Sequence, residues 1–215
     1  MVEILDGVRA VNLSETEGLD LEAYVLDCGN TVILVDTGML PRDLERIEAE
    51  LKEMGRNWGD ISIIFITHKH GDHIKNLAKV KKLTGAEVMA GDGDVRDIES
   101  ATGVKINRGL RHGEYFDICG GIEVIHVPGH SVGNLCLYLQ KQKAIIAGDT
   151  IFGDEKGNIG PPPEKYCLDV KMAEKGIKRL LFYDFEALLL SHGKNLLKDA
   201  KNRVRLLCEE ITASS

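Results

Sequence analysis

Six consecutive residues, His68-Lys69-His70-Gly71-Asp72-His73, restrict this chain more than any other feature, because they follow directly on the apolar run 61–67. Such a run reads as a strand buried in a sheet, so the polar residues stand at its end, held by a rigid element. Side chains on extended backbone alternate in direction, and His68 and His70 therefore point to the same side and can reach one ion. Asp72 and His73 lie past the glycine turn, at the start of a predicted helix. They are aimed differently and suit a second ion beside the first. Of the 7 histidines in the chain this turn holds His68, His70 and His73, a crowding that argues against a polar loop with histidines placed by chance.

Other apolar runs end as abruptly, at residues 24–27, 31–36, 122–127, 135–139, 144–147 and 187–190, and each reads as a strand of a sheet core. The clearest helical pattern follows Pro41, where Leu44, Ile47, Leu51 and Met54 share a face and Gly55 supplies the stop. Further helices are expected to begin near Asp72 and near Asp169, and a last one to cover 196–211. Stretches 14–21, 91–113 and 153–167 read as irregular and as walls of a pocket. With 215 residues and 43% hydrophobic content, a single α/β domain over 1–215 is expected.

Several of these runs deliver a polar residue at their ends. VILVDTG at 32–38 and AIIAGDT at 144–150 place Asp36 and Asp149 there, Pro128-Gly129-His130 follows the run 122–127, and Ser191-His192-Gly193 follows 187–190. Alone, His130 or His192 would be read as a surface or capping residue. Beside the first turn they complete a ligand set. Imidazoles with added carboxylates suit zinc first, with iron or manganese also fitting, in a site that keeps open positions.

Composition narrows the partners. A net charge of −7 argues against a polyanion, since phosphate binding needs clustered Lys and Arg, and the short basic runs at 79–82 and 198–205 read as solvated helix faces. The 5 cysteines are scattered and form no CxxC, so they are expected to be small core residues with neither a disulfide framework nor a catalytic role. The first residues read as a strand and no apolar stretch approaches spanning length. The expectation is a cytoplasmic protein that acts on a small-molecule substrate, with no nucleic-acid or membrane partner.

In order, an aspartate-ended strand, HxHxDH, a later Gly-His, a later Gly-Asp and a final His-Gly run from Asp36 to His192, and this pattern resembles the metallo-β-lactamase superfamily. The resemblance implies a four-layer αβ/βα sandwich and two divalent metal ions. It assigns His68, His70 and His130 to one metal, Asp72, His73 and His192 to the other, and Asp149 to both as a bridge. Asp36 matches the family's structural aspartate, which supports the ligand turn without binding metal. In the implied mechanism two cations about 3.5–4 Å apart acidify a shared water, whose hydroxide attacks a polarised carbonyl or phosphoryl group. Asp72 and Asp149 would orient the nucleophile and carry protons.

Branches of the superfamily are separated by single positions. β-Lactamases carry cysteine or serine where Asp149 stands, so the glyoxalase II, lactonase and phosphodiesterase branches fit better. Lactonases commonly place a tyrosine three residues after the bridging aspartate, whereas this chain has Phe152, which cannot donate that hydrogen bond; Tyr166 lies in the same stretch as a possible substitute. Glyoxalase II enzymes commonly continue into a helical domain, while residues 193–215 alone follow His192 here, as in short glyoxalase II-like proteins. The expected substrate is an activated carbonyl, a thioester ahead of a lactone. The alternatives are a phosphodiester and a mononuclear-iron persulfide dioxygenase, the latter using His68, His130 and Asp149. His126 is set aside as a sheet residue, and His112, Arg96, Arg108 and Arg111 as loop residues.

Overall fold

The computed structural model describes residues 3–13 and 21–214, so the stretch 14–21, apart from Leu21, lies outside the described residues. The chain divides into two compact units, residues 1–110 and 111–215.

In the first unit β1 (Glu3–Leu5), β2 (Val8–Asn12), β3 (Glu22–Asp27), β4 (Val32–Val35), β5 (Ile61–Ile66), β6 (Glu87–Gly91) and β7 (Arg108–Leu110) lie side by side in chain order. Strands β1 to β4 form an antiparallel meander, and β4 to β7 run parallel. Parallel neighbours need crossovers. These are supplied by α1 (Pro41–Glu53), by α2 (Gly71–Ile74) with α3 (Leu77–Thr84), and by α4 (Val95–Thr102). The apolar face of α1 behaves as its spacing predicts: Leu44, Ile47 and Leu51 are buried in one core that also holds the strand residues Val25, Leu34, Ile64 and Val88. Burying each such side chain contributes about 1.5–3 kcal/mol. At the start of α1, Asp43 Oδ2 accepts the backbone N–H groups of Met39 and Leu40 at 2.8 and 2.7 Å. The stretch 91–113 is less irregular than its sequence suggests, since it contains α4 and β7. VRDIESAT buries one residue, Ile98, which is too little apolar periodicity to be read as a helix.

The second unit holds a sheet of order β14-β11-β10-β9-β8, where β8 is Tyr115–Phe116, β9 Ile122–His126, β10 Leu135–Leu139, β11 Ala144–Ile146 and β14 Ala187–Leu189. A small hairpin, β12 (Phe152–Gly153) with β13 (Ile159–Gly160), interrupts the predicted irregular stretch 153–167. Helices α5 (Val170–Ile177) and α6 (Ala200–Ser214) contribute Ile177, Val204 and Leu207 to a core with Ile125, Cys136, Ile145 and Leu188. The last helix begins at Ala200, not at 196. Leu196 instead exchanges backbone hydrogen bonds with Leu188, at 2.7 and 2.9 Å, so its N–H and C=O are committed to a bridge.

Strand direction decides where the polar ends fall. β10 is antiparallel to both β9 and β11, and β14 is parallel to β11. The C-terminal ends of β9, β11 and β14 therefore share one edge of the sheet, and these are the strands that lead to His130, Asp149 and His192. In the first unit β4 and β5 are parallel, which puts Asp36 and the His68 turn at one end.

Candidate metal centre

In the first unit the ligand turn is organised around Asp36, which follows β4 in a left-handed conformation (φ +64) and is 3% exposed. Its Oδ1 accepts the Thr67 backbone N–H at 2.9 Å, and its Oδ2 accepts the Thr67 hydroxyl at 2.8 Å. The same Oδ2 stands 2.8 Å from His73 Nδ1. Thr67 Oγ1, having donated to Asp36, can accept from His68 Nδ1 at 3.1 Å. One carboxylate thus meets two imidazoles at Nδ1, His73 directly and His68 through a hydroxyl. The rings pack closely, with centroids 4.1 Å apart for His68 and His73 and 4.7 Å for His68 and His70. Asp72 Oδ2 lies 3.6 Å from His73 Nε2 and its side chain is one-third exposed, open enough to meet a ligand. Below the turn, buried Asp94 accepts the Lys69 backbone N–H at 3.1 Å, and Lys69 Nζ pairs with Asp97. Thr37 closes the helix start by donating both its N–H and its hydroxyl to the His73 carbonyl.

In the second unit Asp149 Oδ2 is flanked by His130 Nε2 at 3.2 Å and His192 Nε2 at 3.6 Å. Asp149 is 3% exposed and His130 2%. Glycines make both histidine turns possible. Gly129 (φ +132) packs so closely that an added Cβ would lie 2.2 Å from Ala173 N, and Gly193 (φ +93) leaves 2.2 Å to the Gly153 carbonyl carbon. The Phe152 ring stacks on His192, with centroids 4.8 Å apart and planes 9° apart, and lies 6.2 Å from the His130 ring. Asn134 ties the strand ends together by donating to Val127 O and Thr150 Oγ1 at 3.0 and 2.8 Å.

Cys136, Cys167 and Cys208 are free thiols, the first and last buried. Cys136 is the expected core thiol: burial pushes it up to about 12, although the Thr150 hydroxyl beside it acts in the opposite sense. Cys167 is half-buried, and its Sγ lies 3.8 Å from His130 Nδ1. Burial, and after it the Asp149 carboxylate, raises its pKa. No motif marked Cys167, and the role of Thr67 was equally hidden. His126 is indeed a sheet residue, its Nε2 2.8 Å from Val132 O. It shares a surface cavity of about 580 Å³ with exposed His112, and Arg179, Phe182 and Tyr183 complete the lining. Arg96 lies in α4 and Arg108 in β7, contrary to the loop reading, and both are exposed, as are Arg111 and Tyr166.

The sequence model of the metallo-beta-lactamase superfamily matches residues 22–192, and the chain belongs to that superfamily. Among curated relatives, a hydroxyacylglutathione hydrolase of Rhizobium meliloti (strain 1021) is 34% identical over 98 residues, 45% of this chain and 36% of the relative. One from Pseudomonas aeruginosa (strain LESB58) is 31% identical over 133 residues, 59% of this chain and 47% of its own. An atrochrysone carboxyl ACP thioesterase of a Cryptosporiopsis species (strain 8999) is 27% identical over 134 residues, 60% of this chain and 38% of its own. The chain spans less than half the length of these relatives. A metallo-beta-lactamase family protein from Thermus thermophilus superimposes with a TM-score of 0.76 at 21% identity, covering 98% of this chain and 81% of that one. A metallo-beta-lactamase from Legionella gormanii gives 0.76 at 20% identity, covering 99% and 94%. The fold is the metallo-β-lactamase fold that the motif order led one to expect. Among the described residues no helix is long and apolar enough to cross a membrane.

Proposed function

We propose that the protein is a binuclear metal-dependent hydrolase of activated carbonyl compounds, with water as nucleophile and a thioester preferred to a lactone, and that residues 1–215 work as one catalytic domain. The observation that carries this reading is the position of Asp149, whose Oδ2 stands 3.2 Å from His130 Nε2 and 3.6 Å from His192 Nε2, so that one carboxylate could serve a cation held by either histidine. The donor chemistry supports it: His68, His70, Asp72 and His73 stand together in one turn of the first unit, and His130, Asp149 and His192 follow strand ends of the second. Nitrogen and carboxylate donors fit zinc first, and iron or manganese next.

Bound there, divalent cations would supply Lewis acidity and a water that ionises near neutral pH. The protein's own part is to hold the donors and handle protons. Asp36 would keep His73 and His68 in the ligating tautomer, and Asp149 would contribute negative charge beside any bound cation. Partly exposed Asp72 is placed to accept or return a proton at Oδ2. Phe152 covers His192 with an apolar face and offers no hydrogen bond to a lactone carbonyl, which favours the thioester. Relatives named hydroxyacylglutathione hydrolase and ACP thioesterase support acyl transfer to water. The acidic charge of −7 favours a small-molecule substrate over nucleic acid.

One metal-loaded preparation, analysed for metal and assayed on a thioester, a lactone, a carboxyl ester and a phosphodiester, tests the proposal. Two metals per chain and the highest kcat/KM on the thioester are expected. A tenfold preference for the phosphodiester, roughly 1.4 kcal/mol of transition-state stabilisation, would overturn the substrate class. A single tightly held iron with oxygen consumption would replace hydrolysis by persulfide dioxygenation.

A further inference from the structure

We propose that Cys167 is a positioning residue for His130, holding the imidazole by its Nδ1 so that Nε2 faces Asp149; the inference rests on the metal-centre reading above. The Cys167 sulfur lies 3.8 Å from His130 Nδ1 and 3.8 Å from the Pro162 carbonyl oxygen. A thiol has one weak donor and a weakly accepting sulfur. With its S–H directed to Pro162 O, the sulfur accepts from the Nδ1–H of His130. The proton then stays on Nδ1 and the lone pair on Nε2, the atom that stands 3.2 Å from Asp149 Oδ2.

The backbone around Cys167 is built to keep that contact. Leu168 N–H donates to His130 O at 3.2 Å and Asp169 N–H donates to Gly129 O at 2.8 Å, so the two residues after Cys167 clasp the histidine turn. Ahead of it, Cys167 N–H closes a short 3-10 turn on Glu164 O at 3.0 Å. Pro161-Pro162-Pro163 has fixed φ angles, and its middle residue is buried. The proline run thus holds the carbonyl that takes the thiol proton. Metal-ligating histidines commonly donate their second N–H to a carboxylate or carbonyl, and such partners change metal affinity by about 10–100-fold. Here sulfur occupies that position. It sets direction without adding a charge beside the ligands.

The test compares Cys167→Ser, which keeps donor and acceptor, with Cys167→Ala and Cys167→Val, which lose both; the valine also fills the space. Nitrogen NMR of the metal-free protein reads the His130 tautomer directly. The Nδ1–H form is expected in the parent and the serine variant, and a mixture of tautomers in Ala and Val at unchanged melting temperature. Competition titration with zinc should show binding weakened by about tenfold in Ala and Val and restored in Ser. An unchanged tautomer and unchanged zinc affinity in both Ala and Val would overturn the assignment. Because the tautomer is measured without metal, that failure is distinguishable from a failure of the hydrolase reading, which would show as a parent protein that binds zinc and turns over no acyl substrate.

Discussion

Asp36 Oδ2 and His73 Nδ1 stand 2.8 Å apart, joining the end of β4 to the start of α2 across 37 residues of sequence. Both side chains are almost fully buried. A carboxylate there stabilises the N–H form of Nδ1, and its left-handed backbone is one that aspartate and asparagine tolerate better than most residues.

Asp36→Asn keeps the backbone conformation and one acceptor for Thr67 N–H, but presents an amide where His73 needs an acceptor. On the binuclear proposal, the expected outcome is a folded protein whose second metal binds about 10–100-fold more weakly. Competition titration of the metal-free variant measures it. Equal affinity would show that His73 is oriented by packing alone.

Asp149→Asn preserves shape and removes the charge shared between His130 and His192. On the binuclear proposal, metal content is expected to fall from two per chain to one or fewer while the circular dichroism spectrum is kept. His192→Ala, by comparison, should empty mainly the second site. Equal loss of both metals from His192→Ala would show that the sites are strongly coupled or differently partitioned.

Gly193→Ala places a Cβ 2.2 Å from the Gly153 backbone at a φ of +93. Backbone cannot give way as a flexible side chain does, and a loss of roughly 3 kcal/mol is expected. Gly55→Ala, at φ +68 with nothing within 4 Å, should cost only about 1 kcal/mol. Urea denaturation compares them, and equal costs would refute the close approach.

Phe152→Tyr adds a hydroxyl to a ring that already stacks on His192. Lactone kcat/KM should rise relative to thioester kcat/KM, because the new group can donate to the lactone carbonyl. A rise in both by the same factor would deny it a role in specificity.

Burial holds the Cys136 thiol at about 12, against an ordinary 9.0. Above pH 9 the unfolded chain releases this proton and the folded chain does not, so stability is complete below that pH and is lost as the pH rises toward 12. The slope approaches about 1.4 kcal/mol per pH unit from this group. Comparing urea midpoints of the parent and Cys136→Ala between about pH 8 and about pH 11 isolates it. An identical pH dependence would mean that the thiol ionises without unfolding.

Much of the fold was legible because its strands are short apolar runs buried on both faces. Residues 122–127, 135–139 and 187–190 were delimited to within a residue, and His130 and His192 after the first and last of these runs marked strand ends. Helix α4 was not legible, since VRDIESAT buries only Ile98. The start of α6 was misplaced because Leu196 is held by a bridge to Leu188 that local pattern does not encode.

By itself the sequence determined that histidines and aspartates stand at strand ends, since residue type, alternation and apolar run length are local properties. Tertiary structure alone decided what holds them: Asp36 against His73, Thr67 between Asp36 and His68, Cys167 against His130, and Phe152 stacked on His192. Such contacts join residues far apart in the chain or turn on side-chain direction, and they depend on strand order and on side chains meeting at particular distances. No periodicity records that.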